Sequence, residues 1–175
     1  MTMTLSGFSF FGPDIGGFSG PKPSEELFMR WLQYGVFLPR FVLHSWKIGE
    51  ASTMPWLYEE KMDCVKEIFD LREKLIPYLK KQMNQCIQNN YPLITPVFLK
   101  DDTYDRDSDY FMCGDSILVC PIFDEGVKEL TITLPKYHSY RLRGEGEVFP
   151  AGSTIQITCT INDLPIWFEE YREEE

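Results

Sequence analysis

The chain has 175 residues, enough for one sizeable domain or two small ones, and its 43% hydrophobic and 15% aromatic content can build a core, so a disordered chain is not expected. Its 17 Lys and Arg stand against 27 Asp and Glu, a net charge of −10, and no basic stripe could neutralise phosphates, so nucleic acid is not expected as a partner. No stretch reaches the roughly 18 apolar residues that cross a bilayer, so no membrane partner is expected either.

The opening LSGFSFFG is aromatic-rich and ends at Gly12-Pro13, which predicts a short buried strand running into a loop. Asp14 then sits just past the carboxyl end of that strand. Ser24 is a good N-cap for EELFMRWLQYGVFLPR, and Glu25 and Glu26 suit the positive end of a helix. On this helix Leu27, Phe28, Trp31, Leu32 and Val36 recur at three- and four-residue intervals, an apolar stripe that Pro39 ends. RFVLHS follows as a second short buried strand, with His44 at its carboxyl end.

After the loop WKIGEASTMPW comes a long helical pattern from Leu57 to Asn90. Met62, Val65, Ile68, Phe69, Leu75, Ile76, Leu79 and Met83 mark its broad apolar face. Pro77 lacks a backbone donor, so a break is expected there. From Tyr91 the period changes to two, and YPLITPVFL, DSILVCPIF, KELTITLP, SYRLR and STIQITCTI read as short strands. The acidic segment KDDTYDRDSD between the two regimes reads as a linker or boundary, and the tail EEYREEE as a solvated end.

The five cysteines are odd in number and lack CxxC spacing, which argues against zinc or redox chemistry and for small buried thiols in a reducing compartment. The acidic segment lacks the spacing of a calcium loop. No cofactor is called for. With no basic leader at the start, a cytoplasmic location is expected unless a targeting segment lies upstream.

Asp14 and His44 stand at the carboxyl ends of successive strands, the face on which parallel α/β architectures bind ligands, with Phe11, Phe18 and Trp46 nearby. A carboxylate and an imidazole can exchange hydrogen bonds with sugar hydroxyls while aromatic rings cover C–H faces. Gly16 and Gly17 would let the backbone turn and approach a ligand. Each residue also has a plain structural reading, Asp14 as a turn residue and His44 as hydrogen-bonded core. A phosphate cradle competes too, but the Lys-Ser/Thr of a P-loop is missing.

FFGPDIGGFSGPKPSEELFMRWLQYGVFLPRFVLHS resembles the seventh-to-eighth strand region of glycoside hydrolase family 31, the α-glucosidase and α-xylosidase family. That family carries G-x-D-[IV]-x-G-F followed by ELFxRWxQxGxFxPxxRxH. Here Gly12, Asp14, Ile15, Gly17 and Phe18 match the first motif, and Glu26 through Pro39 and then His44 match the second. LREKLIPYLKKQMNQCIQNNYPLITPVFLKDD and DYFMCGDSILVCPIFDEG are similar to two further family stretches, so the resemblance covers roughly residues 5 to 168. Thr95 stands where the family has Arg.

The resemblance implies an α/β then all-β chain: the last two units of a (β/α)8 TIM barrel over residues 1–98, incomplete as a barrel, then a small antiparallel β-sandwich over 99–175. It implies a retaining glycosidase that uses two carboxylates, and an α-glucoside or related oligosaccharide as ligand. His44, Asp14 and Phe18 match residues that line or support the pocket of the terminal sugar, with Asp14 alternatively orienting its neighbours. The family's nucleophile motif W-x-D-M-N-E and acid motif G-D-N are not in the sequence, and a closed barrel of this type takes about 250 residues. The expectation is a carboxyl-terminal fragment, inactive alone, whose partner is the missing amino-terminal part of the barrel. The alternative is a non-catalytic carbohydrate-binding or complementing subunit, and a remnant without a ligand is a third reading.

Overall fold

A computed structural model describes residues 2–46, 53–144 and 146–172. The chain starts with one helical turn, α1 (Thr2–Leu5), and not with the expected strand. Residues around Asp14 instead run beside those around Val42 with a single parallel bridge, in which the Ile15 N–H donates to the Val42 carbonyl at 2.9 Å. Pro13 and Pro39 supply no donors, and among the described residues each segment has only the other to pair with. A ladder therefore does not propagate, and RFVLHS is likewise extended and bridged only at Val42.

Helix α2 (Glu25–Gly35) lies between these segments and starts as expected, with the Ser24 hydroxyl accepting from the Leu27 N–H. Phe28, Met29, Leu32 and Val36 are fully buried, whereas Leu27 faces out. Two short 3-10 turns, Pro55–Leu57 and Glu59–Lys61, lead into α3 (Met62–Asn89), which runs unbroken through Pro77. The expected break is absent because Pro77 and Glu73 both lie on the exposed face, where water can take the carbonyl left without a helical donor. Asn90 in the left-handed conformation closes the helix. The buried face is Val65, Ile68, Leu71, Leu75, Leu79, Gln82 and Cys86, so Ile76 lies outside it.

The remaining strands are β1 (Ile94–Pro96), β2 (Phe111–Cys113), β3 (Ile117–Val119), β4 (Glu129–Thr133), β5 (Ser139–Leu142), β6 (Val148–Phe149), β7 (Thr154–Thr158) and β8 (Trp167–Tyr171). Six form an antiparallel sheet in the order β1-β2-β3-β8-β5-β6, and β4 pairs with β7 as a separate ribbon. Side chains alternate across the larger sheet. Phe111, Cys113, Ile117, Val119 and Trp167 join the core with α2 and α3, while Met112, Leu118, Tyr140 and Phe168 join Ile132 and Leu134 of the ribbon. A sheet covered on both faces explains why β2 and β3 are wholly apolar or small.

The acidic end corrects part of another expectation: Glu169 to Tyr171 belong to β8, between β3 and β5, and are not a solvated tail, while residues 173–175 of that expectation lie outside the described residues. Trp167 and Phe168 seat them, since their burial on opposite faces anchors the strand. Residues 97–110 join β1 to β2. Asp101 is buried there, and its carboxylate accepts from the Thr103 N–H at 3.0 Å, the Thr103 hydroxyl at 2.6 Å and the Lys136 N–H at 2.8 Å. The cysteines are free, and all but Cys64 are buried; burial pushes the Cys113 thiol up to about 12.

Polar side chains tie α2 to the sheet layer. Arg30 donates to the Val127 carbonyl at 3.0 Å, Gln33 to the Asp163 carbonyl at 2.7 Å, and the Glu26 carboxylate accepts from the Gly126 N–H at 3.0 Å. Arg72 of α3 does the same for the stretch after α2, donating to the carbonyls of Val36, Leu38 and Pro39 at 2.6, 2.7 and 3.1 Å. The chain thus enters the segment bearing His44 from a fixed direction.

Candidate sugar-contact site

The loop after Asp14 is shaped by glycine. Gly16 and Gly17 have φ of +78° and +86°, the left-handed region, and a Cβ at Gly16 would lie 2.7 Å from Thr53 Cγ2. The turn is closed by the Gly17 N–H donating to the Asp14 carbonyl at 2.8 Å, and the Thr53 hydroxyl donates to the Gly17 carbonyl at 3.4 Å. This places Phe18 against the segment that follows Val42. The Trp46 N–H donates to the Phe18 carbonyl at 2.6 Å, so the two loops are joined backbone to backbone.

Three rings meet at that junction. Phe18 and His44 have centroids 5.4 Å apart and tilted by 43°, and Phe18 and Trp46 have centroids 6.4 Å apart and tilted by 44°. Phe18 is 43% exposed and Trp46 78% exposed, and His44 is exposed as well, so the cluster presents ring faces to solvent instead of packing into the core. Exposed aromatics beside an imidazole can cover the C–H face of a sugar and bond its hydroxyls.

Asp14 is placed differently. Its Oδ1 accepts from Arg40 Nη2 at 2.6 Å, while Arg40 Nη1 donates to the Gly12 carbonyl at 3.0 Å. No hydrogen bond joins Asp14 to His44 among the described residues. Phe18, His44 and Trp46 therefore form one cluster, with Asp14 clamped beside it. Arg40 was missed in the sequence, although alternation along the extended segment puts residues 40 and 42 on one side, and Val42 is the bridge partner of Asp14. The close crossing needs Gly12, because a Cβ there would lie 2.1 Å from the Arg40 carbonyl oxygen.

A retaining glycosidase needs one carboxylate to attack and a second to protonate. The Asp14 carboxylate is held in an ion pair with Arg40.

A sequence model of the glycosyl hydrolases family 31 TIM-barrel domain matches residues 1–82, and one of the family 31 C-terminal domain matches residues 90–170. The chain belongs to glycoside hydrolase family 31. Among family relatives, it is 30% identical over 175 residues to α-glucosidase 2 of Bacillus thermoamyloliquefaciens, covering 97% of this chain and 22% of that protein. It is 32% identical over 181 residues to an α-glucosidase of Saccharolobus solfataricus, covering 96% and 25%. The cycloalternan-degrading enzyme of Trueperella pyogenes, solved with cycloalternan, superimposes with a TM-score of 0.86 at 26% identity over 99% of this chain and 25% of that one. A family 31 α-xylosidase from a soil metagenome, complexed with xylose, gives a TM-score of 0.82 at 26% identity over 98% and 29%. The chain thus spans 22–29% of the length of these proteins. No helix of the described residues is long and apolar enough to cross a membrane.

Proposed function

We propose that this chain supplies part of the sugar-binding wall of a retaining α-glycosidase acting on α-glucosides, and that the reacting carboxylates come from a barrel portion outside it. On this reading residues 1–98 are the last two barrel units and 99–175 the β-domain that buttresses them. His44 bonds ring hydroxyls, Phe18 covers the sugar's apolar face, and Asp14, with Arg40, holds the loop that carries Phe18. The observation that supports it best is the joining of the two loops, with Trp46 bonded to the Phe18 carbonyl at 2.6 Å and the Phe18 ring set 5.4 Å from His44.

Leu5, Phe8 and Phe10 are exposed beside the extended segments, a surface that suits the remainder of a barrel. This feature serves the complementing-subunit reading equally, since a separately encoded barrel portion would cover the same side chains. The chain alone would not hydrolyse a glycoside. The test is to assay an aryl α-glucoside with the isolated chain, with a family-matched amino-terminal part, and with both joined or mixed. Turnover only when both parts are present supports the reading. Turnover by the isolated chain, or none in the reassembled protein despite a folded product, overturns it.

A further inference from the structure

A second polar groove lies at the far end of α3, built from residues that the loop site does not use. It has two lobes, of about 220 Å³ and about 300 Å³, with Lys100 and Asp115 in the wall of both. The first lobe is lined by Tyr137, His138, Glu170 and Arg172, and the second by Gln82, Gln85, Asn89 and Tyr91. Gln82 and Asn89 come from the carboxyl-terminal turns of α3, whereas Thr53, which bonds the Phe18 loop, lies just ahead of its start. At 1.5 Å of rise per residue, α3 runs about 30 Å from Met62 to Gln82.

The polar groups of the groove are held in place. The Glu170 side chain is 5% exposed, and its Oε2 lies 3.3 Å from Arg172 Nη2 and 3.6 Å from His138 Nε2. Both contacts fall on one oxygen, Oε2. Asp115 Oδ1 accepts from the Gln82 amide at 2.7 Å and from the Tyr78 hydroxyl at 3.4 Å, and Oδ2 takes neither. Lys100 Nζ sits 4.7 Å from the centre of the Tyr91 ring. The groove therefore presents carboxylate acceptors and amide, guanidinium and ammonium donors beside an aromatic ring.

Charge selects the ligand class. Lys100 and Arg172 balance Asp115 and Glu170, so these four side chains leave the groove with no net charge. A neutral molecule bearing many hydroxyls pairs with both kinds of group, and each lobe has room for one pyranose ring. We infer that this groove is a second carbohydrate site, which takes a neutral oligosaccharide of two or more units away from the reacting centre. It is a binding site for polymer or product and performs no chemistry. It stands on groove geometry and does not depend on the role given to His44.

The test is a titration of the full chain with maltotriose, followed by NMR of the two imidazoles and of the Gln and Asn side-chain amides. Retention in gels cast with soluble starch reports the same binding if the chain associates. Saturable shifts of His138 and of Gln85 at millimolar ligand are expected. They should persist in His44→Ala and weaken about fivefold or more in Arg172→Ala, a surface change that leaves the fold intact. Glu170→Gln should weaken binding similarly. No saturable shift of His138, shifts confined to His44, or binding lost in His44→Ala but kept in Arg172→Ala would overturn the inference.

Discussion

Arg40 grips Asp14 at 2.6 Å while its other terminal nitrogen holds the carbonyl of Gly12, so one guanidinium pins both sides of the turn that leads to Phe18. Because this pair is partly exposed, solvent screens it and its net worth is small. Arg40→Gln should lower stability by less than about 1 kcal/mol in urea unfolding. Gly12→Ala should cost more, about 1–3 kcal/mol, because the new methyl meets the Arg40 backbone and not a yielding side-chain tip. Equal losses in the two variants would contradict this account of the turn.

Arg72 is the group that fixes the path into His44. Its bonds to the Val36, Leu38 and Pro39 carbonyls are charge-assisted, and those carbonyls lie where a helix end leaves acceptors without partners. Replacing it by Met keeps the stem packing but orphans the carbonyls, for an expected loss of about 2–4 kcal/mol. Hydrogen exchange should show residues 36–44 opening more than the β5–β8 pairing. Uniform loss of protection across the chain would speak against a local role.

Pro77 gives a test in the opposite direction. It occupies an exposed interior position of α3, where proline removes a backbone bond and crowds the previous turn. Pro77→Ala should raise the urea midpoint, with a gain of up to about 3 kcal/mol. A loss of stability would mean that a kink at this residue is needed for α3 to follow the sheet.

Asp101 sets an acid limit. Burial alone would raise its pKa, but hydrogen bonds from Thr103 and Lys136 together with the Lys136 charge outweigh that and hold it below the usual carboxylate range. A depressed folded-state value means that the unfolded chain binds the proton more readily. The stabilisation is complete above the unfolded value of about 3.9 and is lost as pH falls through the folded value. Unfolding midpoints of the native chain should therefore drop more steeply below pH 4 than those of Asp101→Asn, which should already be weaker at pH 7. Parallel pH profiles would contradict it.

Local signals in the sequence served well where one residue governs one feature. The Ser24 cap and the apolar faces of α2 and α3 follow from short-range spacing, and β4 and β7 from alternation. Features that depend on partners far along the chain were not legible. β8 hides in an acidic run because its place is set by β3 and β5, and β6, of two residues, is too short to show a period. The two aromatic segments near Asp14 and Val42 read as strands but make one bridge, since a parallel ladder needs neighbours and donors that proline denies. At the site, Asp14 and His44 were singled out by their place after two expected strands and Phe18 as a nearby ring, and the ring contact of Phe18 with His44 follows from the joined loops. Arg40 escaped because its partner lies across the bridge, 26 residues away.

The role of His44 is best tested in the reassembled enzyme, with an aryl α-glucoside as substrate. If its imidazole holds the sugar against Phe18, His44→Ala should lower kcat/KM at least about tenfold while the unfolding midpoint stays put, because the side chain is exposed. A kcat/KM unchanged in that variant, with the protein folded and active, would contradict the proposed contact.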